Sequence, residues 1–78
     1  MNIIRKSAAM KIHQQHLGSR LARYCRGKYK WVGNSEHYIG KEVPDCRGVL
    51  AVYVERRQDR DGPYACVMCV TLNKTLLG

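Results

Sequence analysis

The chain has no phenylalanine, two prolines, and no acidic residue before position 36. Each shortage excludes something. Without Phe, the aromatic content is five Tyr and the single Trp31, side chains that pair an apolar body with a polar edge and suit half-exposed surfaces. With so little proline and no low-complexity tract, no linker divides the chain, and 78 residues make a single domain, 1–78. No apolar run approaches the roughly 20 residues that a membrane-spanning helix needs, so no membrane association is expected. Arg5 and Lys6 arrive before any apolar stretch, so no secretory signal is expected either and the expected location is cytoplasmic. In that compartment the four cysteines are expected as reduced thiols.

The missing acids matter most. Residues 1–35 carry eight basic side chains (Arg5, Lys6, Lys11, Arg20, Arg23, Arg26, Lys28, Lys30) and no carboxylate, while residues 36–78 carry six of each sign. The net charge of +8 therefore belongs to the first half. Such asymmetry points to an anionic partner, against the plainer reading that the charge serves only solubility. A domain this short hides about 60% of its unfolded surface, so its core is small and oligomerisation would help it.

Local pattern suggests an α+β fold. Residues 1–5 read as a short strand. Ser7 is a candidate N-cap for a helix over 7–16, whose Ala9, Ile12, His13 and His16 share one face, with Gly18 as its stop. Residues 20–32 read as a basic hairpin turning at Arg26-Gly27. Its second arm alternates Lys28 and Lys30 on one face with Tyr29 and Trp31 on the other. Residues 33–47 are loop-rich. Residues 48–72 form a C-terminal hairpin: Gly48–Val54 is apolar on both faces and reads as a central strand, a charged turn follows through Asp61-Gly62, and Tyr64–Thr71 is the second arm. The expected architecture is one short N-terminal helix packed on a four- to five-stranded antiparallel sheet.

Candidate chemistry is sparse. Cys66 and Cys69 have CxxC spacing, but within a strand residues three apart face opposite sides, whereas zinc needs converging thiolates and four ligands. Cys25 and Cys46 lie at irregular spacings, and buried cysteines commonly act as small hydrophobes. His13 and His16 lack the intervening Glu of a metalloprotease helix. No nucleophile elbow, phosphate-cradling loop or paired apolar carboxylates occur. Neither catalytic residues, nor a metal, nor a cofactor is expected, and the chain is not expected to be an enzyme.

The remaining constellation interleaves cations and rings: Arg20, Arg23, Arg26, Lys28, Lys30 and Trp31, extended by Arg56 and Arg57. Cations release counterions from a phosphate backbone, and flat rings stack on unpaired bases. The expectation is nucleic-acid binding, on condition that the cations up to Lys30 gather on one exposed face. The competing reading buries Tyr29 and Trp31 and leaves the lysines as a solvated face. Glu55, Asp59 and Asp61 stand close enough in sequence to neutralise Arg56 and Arg57.

The stretches Gly27-Lys-Tyr-Lys-Trp-Val-Gly33, Tyr38-Ile-Gly-Lys-Glu-Val-Pro-Asp45, Gly48-Val-Leu-Ala-Val-Tyr-Val-Glu-Arg-Arg-Gln-Asp59, Gly62-Pro-Tyr64 and Val70-Thr-Leu-Asn73 resemble the YeeT-like family over roughly residues 2–73. The resemblance implies a short protein of enterobacterial prophages and other mobile elements, a domain of unknown function often encoded beside a toxin–antitoxin pair and a RadC-like protein. It brings no catalytic assignment. It raises a second expectation: a protein-interaction module that occupies an acidic groove on a host, defence or toxin–antitoxin protein. A third is a homo-oligomer formed through a sheet edge.

Overall fold

A computed structural model describes residues 1–15, 21–44 and 48–72. In chain order they form helix α1 (Lys6–Gln15), strand β1 (Leu21–Lys30), a 3-10 turn (Ser35–Tyr38), strand β2 (Val49–Asp59) and strand β3 (Gly62–Leu72). The sheet is antiparallel with spatial order β1-β3-β2. The α+β class stands. The strand count is corrected from four or five to three, for two separate reasons.

The first is that residues 20–32 do not turn back at Arg26-Gly27. β1 runs through as one strand, and the step is absorbed as a bulge: Cys25 faces Met68 and Gly27 faces Val67, leaving Arg26 as the extra residue. A two-residue reversal needs positive φ at its glycine, and Gly27 is not among the positive-φ glycines. The second is that the N-terminal segment is no sheet strand. Asn2 makes an isolated bridge to Glu42. Around it, the Ile3 amide donates to the Lys41 carbonyl and the Val43 amide to the Met1 carbonyl, each at 2.8 Å.

The C-terminal hairpin forms as expected, with Arg60-Asp61 as its two-residue loop and Gly62 at φ 109°. Asp59 Oδ1 accepts the Asp61 amide at 2.9 Å and holds the turn. The central strand, however, is β3 and not the segment 48–54. Burial length explains the exchange. β3 is buried continuously from Ala65 to Val70, whereas β2 is buried over Ala51–Val54 and then becomes the charged stretch Glu55–Asp59. Only the longer apolar run can be covered by strands on both sides.

Two cores lie on the two sides of the sheet. Ala51, Tyr53, Cys66, Met68 and Val70 pack beneath α1 through Ala9, Met10 and Ile12; this side is called the helix face. Val52, Val54, Ala65, Val67 and Cys69 pack on the opposite face against Ile3, Tyr38 and Val43. α1 begins one residue earlier than expected, at Lys6, so Ser7 lies in its first turn and the Arg5 carbonyl accepts the Ala9 amide at 3.0 Å. His16 and Gly18, at the expected helix end, lie outside the described residues.

Candidate nucleic-acid interface

β1 carries the site, and strand alternation divides it. Pairing across β3 puts Arg23, Lys28 and Lys30 on the helix face, in the rows of Val70, Cys66 and Tyr64. Arg57 joins them from β2 in the Tyr64 row. Tyr24 and Tyr29 point to the opposite face, in the rows of Cys69 and Ala65. There Arg56 lies 5.6 Å from the Trp31 ring centroid. Arg23, Lys28 and Lys30 therefore share one exposed face of β1, the bulge keeping Lys28 and Lys30 in step with Arg23, while Arg26 at the bulge reaches the Pro44 carbonyl. The expected separation of Lys28 and Lys30 from Tyr29 and Trp31 onto opposite faces is what the register shows. Among the described residues β1 pairs on one side only, with β3, so the two halves meet at its outer edge. Arg20 lies outside the described residues.

Several cations have local partners. Lys28 lies 3.3 Å from Asp59 and 4.5 Å above the Tyr64 ring centroid. Arg57 lies 3.3 Å from Glu55, which also takes Lys6 at 3.0 Å. Arg23 donates to the Tyr53 hydroxyl at 3.2 Å. Arg26, at the bulge, donates to the Pro44 carbonyl. Lys30 is exposed and makes no ion pair among the described residues. Exposed ion pairs of this kind contribute about 0–1 kcal/mol and yield readily to a phosphate. The carboxylates respond to the cations. Burial raises the Glu55 pKa, but hydrogen bonds from Lys6 and Arg57, with their charges, outweigh it and hold the group below the ordinary value. The Asp61 amide and then Lys28 lower the Asp59 pKa.

Tyr38 organises the aromatic side, and no sequence pattern marks it. Asn34 Oδ1 accepts the Glu36 amide at 3.0 Å and starts the 3-10 turn that delivers Tyr38 into the core. Its ring stacks on Tyr29 at 6.2 Å between centroids and on Trp31 at 5.9 Å. Its hydroxyl donates to the Lys30 carbonyl and accepts the Val32 amide. Trp31 is half-buried, and Tyr29 keeps 39% of its surface exposed.

Beside Tyr29 lies a cavity of about 230 Å³, walled by Val43, Pro44 and Val67 and bounded by Arg26, Gly27 and Lys28. Among the described residues no group of three or more His, Cys, Asp or Glu converges to hold a metal. Cys66 lies on the helix face and Cys69 on the other. The expectation that all cysteines are reduced is corrected for one pair: Cys25 and Cys66 are joined by a disulfide, with Cα atoms 5.8 Å apart. Strand pairing brings them together: Cys25 lies opposite Met68, and Cys66 is the next residue of β3 on that face, within bridging range.

Over residues 1–72 the chain matches the family model described as "Protein of unknown function (DUF987)". It belongs to that family. Among its relatives are two proteins of Escherichia coli strain K12. "Uncharacterized protein YkfH" is 62% identical and "Uncharacterized protein YeeT" 58% identical, each aligned over 94% of this chain and all of the relative. "Uncharacterized protein YpjJ" of the same strain is 59% identical over 74% of this chain and 88% of its own length. The YeeT-like resemblance is thus established across nearly the whole DUF987 chain. No solved structure matches it.

Proposed function

We propose that this protein binds nucleic acid along β1, as an accessory protein of a mobile element. The observation that carries the reading is the content of one strand and its extension. Residues 21–32 present Arg23, Arg26, Lys28 and Lys30 with Tyr24, Tyr29 and Trp31, and contain no carboxylate. Phosphates take the cations by counterion release, and the rings on the opposite face offer stacking surfaces at the same edge. The two carboxylates that reach this region, Asp59 and Glu55, sit in exchangeable ion pairs at the rim.

Fluorescence anisotropy with labelled DNA and RNA oligonucleotides, at salt concentrations rising from low values, tests it. Binding is expected to weaken linearly in log–log form, and each phosphate-contacting cation removed is expected to lower the slope by about 0.7–0.9. Lys30→Ala is the cleanest variant, because Lys30 has no ion pair among the described residues. Flat anisotropy with every oligonucleotide at low salt, together with capture of a nuclease-resistant protein partner, would move the assignment to the protein-interaction reading.

A further inference from the structure

Gly27 poses a question that the bulge does not answer. A glycine inside a strand weakens it, and it marks a bulge, a bend or a place where a ligand comes close to the backbone. Gly27 does not have the positive φ that would reserve the position for glycine. A Cβ built on it meets nothing within 4 Å, so no neighbour forbids a side chain. What a side chain there would do is enter the cavity beside Tyr29.

The walls of that cavity are chemically specific. Val43, Pro44 and Val67 give it an apolar lining, and Tyr29 completes the wall. The plane of the Tyr29 ring is set by Tyr38, to which it lies within 5° of parallel and whose hydroxyl is held by the backbone of Lys30 and Val32. Arg26 stands at the rim with one donor on the Pro44 carbonyl; a guanidinium has five, so the others can take a phosphate. At about 230 Å³ the space is below the roughly 300 Å³ at which pockets for whole small molecules begin, and it suits one ring system.

We propose that this cavity seats one unpaired base of a single-stranded nucleic acid, stacked on Tyr29, with an adjoining phosphate on Arg26. The inference rests on the nucleic-acid reading above and narrows it to single strands. Charge selects this occupant. The strand bearing the cavity has four cations and no acid, which disfavours a second copy of the same strand and favours a polyanion whose units are flat and apolar.

The experiment compares the intact protein with its Gly27→Val variant, using labelled oligothymidylate, a duplex of equal length and an abasic strand of equal length. Valine is a better strand former than glycine, so thermal melting is expected to show a folded variant. Wild type is expected to prefer oligothymidylate to both other ligands. Gly27→Val is expected to lose about 5- to 150-fold for oligothymidylate alone, the worth of one stacked base, with its salt slope unchanged because no charge is lost. If wild type binds the abasic strand as tightly as oligothymidylate, the cavity holds no base and this inference is overturned while nucleic-acid binding stands. Equal affinity for duplex and single strand overturns it in the same way. Wild type binding no oligonucleotide at low salt overturns both.

Discussion

The hydroxyl of Tyr38 accepts the Val32 amide at 2.7 Å while donating to the carbonyl of Lys30, two residues earlier. One buried side chain thereby satisfies both polar groups that β1 leaves at its end, and it fixes the backbone from Lys30 to Val32 around Trp31. The 3-10 turn and the end of β1 are joined through a phenol and not through sheet pairing.

Tyr38→Phe keeps the ring stacking and removes the hydroxyl. A part-buried amide and carbonyl would then lose their partner, at a cost of about 1–3 kcal/mol. Urea denaturation is expected to show that loss, and hydrogen exchange to show faster exchange of the Val32 amide with the amides of β3 unaffected. If nucleic-acid binding depends on a fixed Tyr29 ring, oligothymidylate affinity falls in the same variant.

Asp59 restrains Lys28 at 3.3 Å, and its own pKa is lowered by the Asp61 amide and by Lys28. Asp59→Asn releases that ammonium and removes one negative charge from the rim. The expected result is tighter nucleic-acid binding with a steeper salt slope, read by anisotropy at two salt concentrations. A protein that uses this edge only as a solvated surface would show no change.

The parts of the fold that could be read from the sequence are those in which local pattern and tertiary environment agree. The helix is set by Ala9 and Ile12, the C-terminal hairpin by its two β-rich arms and the Asp61-Gly62 turn, and the separation of Lys28 and Lys30 from Tyr29 and Trp31 by period-two alternation. Three features were not legible, each for a physical reason. Arg26-Gly27 reads as a turn or as a bulge with equal ease, and pairing with β3 decides for the bulge. Which arm of the hairpin lies in the centre depends on what covers the other side, which no local window contains. Tyr38 is absent from any sequence-based site because nothing distinguishes a tyrosine that clamps a strand end from one on a surface.

The Cys25–Cys66 bond closes 41 residues of chain and ties edge strand β1 to the central strand. A loop of that length is expected to contribute about 3–4 kcal/mol by restricting the unfolded chain. Cys25→Ser is expected to lower the urea midpoint under non-reducing conditions and to match wild type when both are reduced. Non-reducing peptide mapping is expected to recover the two cysteines in one linked fragment. Equal midpoints without reductant would show that the bond contributes nothing to the folded protein in solution.

Acid should weaken the fold through Glu55. Lys6 and Arg57 both reach it, at 3.0 Å and 3.3 Å, and the folded protein holds its pKa below the ordinary value of 4.5. A carboxyl whose pKa is lower in the folded than in the unfolded state binds its proton more readily when unfolded. Its contribution is therefore fully present above the unfolded value and disappears as pH falls through the folded one. Wild type is expected to exceed Glu55→Gln in stability by a constant amount from neutral pH down to about one unit above 4.5, and the two to converge in more acidic solution. Urea midpoints measured on both proteins from pH 7 to about pH 3 test the sign directly. Lys6→Met supplies the control: it removes the cation that bridges α1 to β2, so it should reduce the same difference without introducing a new titrating group. A gap between wild type and Glu55→Gln that widens in acid would contradict the assignment of Glu55 as an ion-paired carboxylate between the helix and the sheet.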